Sequence, residues 1–255
     1  MSTCCVVLLS GGLDSATLLW KAKKELNADV YALTLIYGQK HRKEVECAKR
    51  LSTLAGVIEH RIVDLSSISW AFYASRLVEG GVEVQLSKVS RDYVPQRNLV
   101  FIALAAAWVE SLVLERGYSR GLIGIAVHRY ETMGYPDTRP EFVEAVSRAV
   151  ALGSAAVVER KAEICVWAPF VNMTKADIIR EGVRLGVPYE LTWSCYRGGE
   201  RPCGTCFSCT TRLRSFMEAG VPDPLTDMYE KLPEWYVQWL KVYRFSGITG
   251  GGSQQ

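Results

Sequence analysis

The sequence predicts an α/β fold, a doubly wound and mainly parallel β-sheet with helices on both faces. Short apolar runs alternate along the chain with segments whose apolar residues recur at helical spacing. Such a βαβα order implies a parallel sheet that is covered on both faces. The 255 residues, 49% hydrophobic and 22% charged, have an ordinary globular composition and can form one large core with a small appendage.

The elements follow in order from the first apolar run, residues 4–9, which is the first predicted strand. Later apolar runs predict strands at Asp29–Ile36, 60–63, 121–127 and 164–167. Helical spacing, an opening proline at Pro140 and a stop at Gly186 are the helix signals. The predicted helices are 42–55, Arg97–Arg116, Pro140–Leu152 and Lys175–Leu185.

Two segments do not fit this pattern. Residues 65–93 have no clear period, and loops of that length are usually functional lids or mobile. Residues 247–255 are rich in glycine and predict a flexible tail. We therefore predict an α/β domain at residues 1–190, a cysteine-bearing loop with C-terminal helices at 191–246 packed on the same core, and the tail.

The double glycine after the first strand predicts a phosphate-binding loop. Residues 10–15 read Ser-Gly-Gly-Leu-Asp-Ser and lie between a strand and a helix. Glycines allow the backbone to approach an anion, and free N–H groups in the loop and the first helical turn point toward it. The loop lacks the Gly-Lys-Ser/Thr ending of a Walker A site, so binding of β- and γ-phosphates as in kinases is not expected.

Charge and hydropathy exclude several other classes of protein. The net charge of +3 is too small for a strongly basic nucleic-acid binder, and it suits a small anionic ligand such as a nucleotide. The N-terminal run is too short for a signal peptide or a membrane span. Residues 99–114 are apolar, but Glu110 and Ser111 interrupt them, which predicts a buried helix. We expect a soluble, cytoplasmic protein that binds neither membrane nor nucleic acid.

Four of the eight cysteines predict a metal site. A cytosolic cluster with two-residue spacings favours a metal over disulfides, and four thiolates complete a closed tetrahedral zinc shell. An iron–sulfur cluster remains the alternative, because a C-x2-C-x2-C run overlaps one ferredoxin pattern. Cys4, Cys5, Cys47 and Cys165 are interpreted as small buried apolar side chains. The predicted ligands are Cys195, Cys203, Cys206 and Cys209.

Taken together, the motifs resemble the 7-cyano-7-deazaguanine synthases, a branch of the PP-loop ATP pyrophosphatase superfamily in queuosine and archaeosine biosynthesis. The resemblance runs from residue 4 to about residue 216. It rests on residues 9–15, 37–42 (Tyr-Gly-Gln-Lys-His-Arg), 94–98 (Val-Pro-Gln-Arg-Asn), 134–137 (Gly-Tyr-Pro-Asp), 139–142 (Arg-Pro-Glu-Phe), 174–177 (Thr-Lys-Ala-Asp), 192–196 (Thr-Trp-Ser-Cys-Tyr), 211–214 (Thr-Arg-Leu-Arg) and the cysteine spacing. The sequence departs from the family at Gln96, where glycine is usual, at Thr138, often cysteine, and at 127–133.

The resemblance implies an adenine nucleotide α-hydrolase-like fold and a ligase that releases AMP. Its substrates would be ATP, ammonia and 7-carboxy-7-deazaguanine, with Mg²⁺ on the phosphates and Zn²⁺ on the cysteines. The acid would be adenylated, ammonia would displace AMP to give an amide, and a second adenylation would lead to the nitrile. Family members are commonly homodimers, for which the apolar face of residues 233–245 is one candidate; packing on the protein's own core is the other.

The expected site residues fall into three groups. Asp14 is interpreted either as a helix cap or as a magnesium ligand, and Arg97 as a partner of phosphate or of the substrate carboxylate. The expected catalytic residues are Ser10, Asp14, Ser15, Arg97 and Lys175. The expected nucleotide-binding residues are Leu9, Ser10, Gly11, Gly12, Leu13, Asp14, Ser15, Ala16, Thr17, Leu18, Leu19, Tyr37 and Gln39. The expected substrate-binding residues are Arg97, Asn98, Gly134, Tyr135, Asp137 and Arg139.

Two alternative functions stay open on the sequence alone. A related enzyme could use the same adenylation to join a carboxylate to another amine or to a protein. A tRNA-modifying thiolase with an iron–sulfur cluster would use the same phosphate loop, but the mild net charge argues against an RNA surface.

Overall fold

A computed structural model describes residues 2–39, 43–84, 87–129 and 134–245. The sequence predictions that fall on residues 40–42, on residues 130–133 and on the tail at 247–255 lie outside these ranges.

The sheet has five parallel strands in the order β3-β2-β1-β4-β5. This confirms the predicted doubly wound α/β fold. The predicted fourth strand ends earlier than expected, at Gly124, and residues 125–127 contribute to a cavity wall. The strands are β1 (Thr3–Leu8), β2 (Asp29–Ile36), β3 (His60–Asp64), β4 (Arg120–Gly124) and β5 (Glu163–Trp167).

Three of the four predicted helices have the predicted bounds. The remaining one, predicted at residues 42–55, begins among the described residues at Lys43. The helix α5 was not predicted, because six residues are too few to show a helical period. The helices are α1 (Leu13–Glu25), α2 (Lys43–Ala55), α3 (Arg97–Arg116), α4 (Pro140–Leu152), α5 (Ala155–Arg160), α6 (Lys175–Leu185), α7 (Phe207–Ala219) and α8 (Glu234–Phe245).

Alternation along β1 separates two hydrophobic clusters, one on each face of the sheet. Cys5 and Val7 face a cluster with α1, α2, α6 and α7, whereas Cys4 and Val6 face a cluster with α3, α4 and α5. All four side chains are buried. The helices therefore cover both faces: the chain changes to the second layer at α3, after β3, and returns to the first layer at α6, after β5.

The helix α3 is long and apolar enough to cross a membrane by length and composition. It packs on the sheet in the second cluster, through residues that include Ile102, Val109 and Val113. The core helix of a globular protein passes the same test of length and composition, and the contacts of α3 are those of such a helix.

A third cluster surrounds the four cysteines and includes Tyr236 and Leu240 of α8. Both residues are buried, and Trp235 and Trp239 pack against the same cluster. These contacts favour the interpretation of the α8 stripe as part of the protein's own core.

A buried ion pair joins Arg212 of α7 to Asp223, which follows that helix, and the same arginine also binds the segment after α6. Arg212 donates to both carboxylate oxygens of Asp223, at 2.8 and 2.9 Å. The same guanidinium donates to Thr192 Oγ1 at 2.6 Å and to the carbonyl of Tyr189 at 3.0 Å. A buried charge must be compensated in this way, so the position of the segment 189–194 depends on α7.

We predict that Arg212→Ala lowers the free energy of unfolding by about 3–5 kcal/mol, because it leaves the carboxylate of Asp223 buried without its partner. Arg214→Ala is the matched control on the same helix: Arg214 is exposed and stacks over Trp235, which predicts a loss of about 1 kcal/mol or less. Urea denaturation measures both, and equal losses in the two variants would contradict the prediction.

Candidate nucleotide-binding site

A cavity of about 320 Å³ opens where β1 and β4 end. The strand order reverses at this point, and ligands of open α/β sheets bind there. Its lining includes residues from the glycine loop, α2, α3, α6 and the segment before the first clustered cysteine. The predicted site residues in this lining are Leu9, Ser10, Gly12, Leu13, Asp14, Ser15, Tyr37, Gln39, Arg97, Asn98, Tyr135 and Lys175.

Serine hydroxyls hold the glycine loop in its curved shape. The hydroxyl of Ser15 accepts from the N–H of Ser10 at 3.2 Å and donates to the carbonyl of Gly12 at 3.1 Å. The two hydroxyls of Ser10 and Ser15 are 3.0 Å apart. No side chain caps α1 at Gly12, so the N–H groups of its first turn are available to an anion.

Gly11 brings the loop into direct contact with α2. Its φ angle is +88°, and a Cβ atom at this position would lie 2.1 Å from the carbonyl oxygen of Glu44. On its other side, the carbonyl of Gly11 accepts from the N–H of Trp193 at 3.0 Å. Glycine is therefore required here both by the backbone conformation and by the available space.

Asp14 and Lys175 form an ion pair beside the loop. Lys175 Nζ lies 3.0 Å from Asp14 Oδ2, and His128 Nε2 lies 3.9 Å from the same oxygen. Lys175 stands at the first position of α6, which a reciprocal Thr174–Asp177 capping box begins. The arrangement places one cation and one carboxylate where a phosphate chain would pass.

Asp14 also fits the chemistry of a magnesium ligand. Its second oxygen, Oδ1, is buried and has no hydrogen-bond partner among the residues that the structure describes. A buried carboxylate oxygen without a partner is unfavourable unless a ligand supplies one, and Mg²⁺ bound to nucleotide phosphates commonly takes one or two carboxylates. Gly12 occupies the cap position of α1, which argues against the alternative that Asp14 is its N-cap.

Arg97 lies against Tyr37 on the cavity wall. Its guanidinium donates to the Tyr37 hydroxyl at 3.5 Å and lies 5.8 Å from the ring centroid. Phe72 and Phe101 pack edge-on against Tyr37. The aromatic packing orients the tyrosine, which in turn positions the guanidinium on the cavity wall.

Asp137 and Asn98 are hydrogen-bonded to each other. Asp137 Oδ2 accepts the backbone N–H of Asn98 at 3.0 Å, and the Asn98 amide donates to the carbonyl of Asp137. Asp137 is buried and does not line the cavity, and its burial raises the pKa of the carboxyl. Its side chain therefore binds the first turn of α3, and the expected role of Asp137 in reading a substrate base stays a prediction.

Gln96, where the family usually has glycine, precedes α3 in the left-handed conformation with φ of +53°. Glycine adopts this conformation without strain, whereas other residues do so at a cost. The departure from the family at Gln96 therefore keeps the backbone shape, and the turn itself explains why glycine suits the position.

Tyr135 lines the cavity, but its neighbours in the predicted motif do not all do so. Its hydroxyl accepts from Ser90 at 3.2 Å, and the carbonyl of Gly134 accepts the Ser90 N–H at 2.9 Å. This hydrogen bond connects Gly134 to the segment around Ser90. Arg139 lies at a separate surface depression with Pro140 and Phe142, so the structure does not bring it to the predicted substrate site.

The first helical turns after the loop belong to the core. Ala16, Leu18 and Leu19 are fully buried in the first hydrophobic cluster, and the hydroxyl of Thr17 is bonded to Leu13 and Tyr189. None of the four lines the cavity. These residues pack behind the loop, and the expected nucleotide contacts of this turn stay a prediction.

Several cavity residues escaped the sequence analysis. Glu44 and Asp92 line the cavity, as do Trp193 and Tyr196. Asp92 falls in the aperiodic segment 65–93, whose residues Leu77 and Asp92 form part of the wall. Trp193 and Tyr196 belong to the motif at residues 192–196. Glu44 lies on an amphipathic helix, and no sequence pattern distinguishes it from the other acidic residues there.

The four clustered cysteines have the geometry of a metal site. Their sulfur atoms all lie within 4.8 Å of one another, and no other such group occurs in the part of the chain described. A tetrahedral zinc ion with Zn–S bonds of about 2.3 Å requires sulfurs about 3.8 Å apart. Cys203 Sγ and Cys209 Sγ are 3.9 Å apart, and backbone N–H groups point to three of the sulfurs, those of Cys195, Cys203 and Cys206. Such N–H donors stabilise thiolates.

The phosphate loop, the ion pair beside it and the parallel sheet define the class of protein: an α/β nucleotide-binding protein of the PP-loop type. The sequence profile described as "Queuosine biosynthesis protein QueC" matches residues 4–220. The chain belongs to this family, as the motifs predicted.

Curated relatives named 7-cyano-7-deazaguanine synthase agree with this assignment. The relative from Persephonella marina is 42% identical over 231 residues, which cover 88% of this chain and 96% of the relative. The one from Thermoplasma acidophilum is 42% identical over 239 residues, covering 92% and 96%. The one from Aquifex aeolicus is 44% identical over 212 residues, covering 81% and 93%.

Two solved structures are more distantly similar. The NMN synthetase from Francisella tularensis has a TM-score of 0.44 at 14% identity, covering 100% of this chain and 88% of that one. The NH3-dependent NAD synthetase from Campylobacter jejuni has a TM-score of 0.42 at 17% identity with the same coverage. Similarity at this level carries no functional inference.

We predict that Gly11→Ala destabilises the protein more than Gly56→Ala does. Both glycines have positive φ, but a Cβ at Gly56 meets nothing within 4 Å. Gly56→Ala therefore measures the conformational cost alone, about 1 kcal/mol, while the contact with α2 adds about 1–3 kcal/mol for Gly11→Ala. Urea denaturation midpoints provide the comparison; indistinguishable values would show that the loop can move away from α2.

Proposed function

We propose that the protein converts 7-carboxy-7-deazaguanine and ammonia to 7-cyano-7-deazaguanine, using ATP. The carboxylate is adenylated with release of pyrophosphate, and ammonia displaces AMP to give the amide. The amide oxygen is adenylated in turn, and loss of the second AMP leaves the nitrile. Both oxygens are poor leaving groups until AMP is attached, which explains the need for two nucleotides.

The observation that carries this proposal is that the phosphate loop and Arg97 line one cavity. The loop and Lys175 suit the pyrophosphate part of ATP, since oriented N–H groups and a cation stabilise the charge that develops as pyrophosphate departs. Arg97 suits the carboxylate of the acid, because a guanidinium binds carboxylates with two parallel donors. One cavity then holds the two reacting groups together.

Tyr37 and Gln39 are proposed to contact the nucleoside part of ATP, and Tyr135 to stack on the deazapurine. Tyr37 and Gln39 follow β2 at the cavity edge, and Gln39 accepts the N–H of Tyr37 at 2.8 Å. Tyr135 lines the same cavity. Mg²⁺, held in part by Asp14 Oδ1, would shield the charge of the phosphates.

Zinc is the metal we propose for the four cysteines, Cys195, Cys203, Cys206 and Cys209. Four thiolates leave no open position, so the ion would be structural and would take no part in the chemistry. The cluster lies next to Trp193, whose N–H binds the phosphate loop, and Lys43 stacks over its ring at 4.1 Å. Ordering of the cysteine loop thereby supports the site.

The direct test is incubation of the purified protein with ATP, Mg²⁺, ammonium and 7-carboxy-7-deazaguanine. Mass spectrometry follows the acid, amide and nitrile, and nucleotide analysis follows AMP and pyrophosphate. Nitrile formation coupled to AMP is the expected result. Release of ADP and orthophosphate, or the absence of turnover, would contradict the proposal. AMP release that required a protein acceptor would favour the related enzyme with a different amine.

We predict that Lys175→Ala lowers the rate of AMP formation about 10²-fold, because it removes a cation from the departing pyrophosphate. Lys23→Ala is the control on α1, since Lys23 is exposed and donates to the carbonyl of Gly56. Steady-state kinetics with ATP, ammonium and the acid all at saturation give the comparison. Equal rates in the two variants would show that Lys175 does not contribute to catalysis.

For the metal, we predict that Cys209→Ser lowers the zinc content of the purified protein and its unfolding temperature, because the variant lacks one ligand of a closed shell. Cys47→Ser is the control, as Cys47 packs near the cluster without belonging to it. Elemental analysis measures the metal. A brown protein that contains iron and absorbs visible light would contradict the assignment of zinc.

A further inference from the structure

One carboxyl group of the cavity is left unexplained by the proposed reaction. Glu44, on the second position of α2, lines the cavity and is half-buried. Among the residues that the structure describes, no hydrogen bond or ion pair to its carboxyl group is present. Asp92, the other carboxyl on that wall besides Asp14 and Glu44, pairs with Arg76 at 2.8 Å. Glu44 is thus available to a ligand in the cavity.

Burial raises the pKa of Glu44 to about 7, and the positive charge of Arg97 on α3 acts in the opposite direction. The other titratable groups near it are Tyr196 from the cysteine loop and Cys47 on its own helix, while Asp92 lies across the cavity. A carboxyl group in this range exchanges protons readily at neutral pH.

The position of Glu44 ties it to the reacting end of the cavity. Its backbone carbonyl is the atom that the phosphate loop approaches at Gly11. The positive charge of Arg97, which we propose as the partner of the acid substrate, lowers the pKa of the Glu44 carboxyl group. Trp193, which is bonded to the phosphate loop, lines the same cavity. Glu44 therefore stands between the sites proposed for the phosphates and for the substrate carboxylate.

We propose that Glu44 forms the ammonium subsite: its carboxylate binds the ammonium cation and accepts the proton that must be removed before nitrogen can attack. This inference rests on the proposed function, of which it specifies the nitrogen donor. An anion beside aromatic rings suits a small cation, since both attract positive charge. Ammonium needs such a base, because its nitrogen has no free electron pair.

The step is balanced as follows. Ammonium gives one proton to the Glu44 carboxylate, and the freed electron pair forms the C–N bond at the acyl carbon of the adenylate. The C–O bond to AMP then breaks, and its electron pair leaves with AMP. The second proton, lost from nitrogen in the tetrahedral adduct, passes to the departing phosphate. Glu44 returns its proton to water through the open cavity.

The test compares Glu44→Gln with Glu46→Gln, an exposed carboxyl on the same helix. Two rates are measured in each variant: amide formation from ammonium, and ATP–pyrophosphate exchange with the acid. In Glu44→Gln, the rate of amide formation is expected to fall at least tenfold more than the rate of exchange. At saturating ammonium, the wild-type rate should rise as pH increases through about 7, where Glu44 loses its proton. In Glu44→Gln, the rise should move to higher pH, where free ammonia becomes abundant.

Hydroxylamine separates this role from recognition of the substrate base. It is uncharged at neutral pH and attacks without prior loss of a proton, so Glu44→Gln should form the hydroxamate at a rate within about threefold of Glu46→Gln. An equal loss with hydroxylamine and ammonium would overturn the proposal and place Glu44 on the acid substrate. An unchanged ammonium dependence in Glu44→Gln would overturn it as well.

Failure of the proposed function would be seen separately. The wild-type protein would then show no ATP–pyrophosphate exchange with 7-carboxy-7-deazaguanine, whatever nitrogen donor is present. If exchange proceeds and only the comparison of the two glutamate variants fails, the synthase activity stands and the ammonium subsite lies elsewhere.

Discussion

The contact between Gly11 and the backbone of α2 is the constraint on which the site depends. A strand, a helix and the segment before the clustered cysteines converge on a residue that has no side chain. Serine hydroxyls maintain the curvature of the loop, and the Trp193 N–H holds it from above. Because Arg212 and the cysteine cluster determine where Trp193 lies, groups remote from any substrate control the shape of the phosphate-binding backbone.

Much of the fold could be predicted because its signals are local. The helix α6 has its capping residue Thr174 at one end and a left-handed glycine, Gly186, at the other, and both are visible in the sequence. The strands are continuous apolar runs, and their order along the chain implies parallel pairing. The phosphate loop could be predicted as well, since two glycines between a strand and a helix are typical of a phosphate-binding loop.

The parts of the site that could not be predicted depend on contacts between distant residues. The Pro-Asp motif gives no sign that Asp137 turns inward to bond Asn98, thirty-nine positions away. Glu44 is one of several acidic residues on an amphipathic helix, and only the approach of Arg97 and Tyr196 places it in a cavity. Buried neighbours, rather than residue type, decide whether such a carboxyl group is a solvated surface charge or part of a site.

The two adjacent cysteines of β1 have a practical consequence. Since neighbouring side chains of a strand point in opposite directions, Cys4 lies beneath α3 and its layer, and Cys5 beneath the layer of α1. The two thiols cannot pair with each other without breaking the strand. Burial raises the pKa of both, so alkylation requires the covering helices to separate from the sheet. Their relative alkylation rates would report which layer opens first.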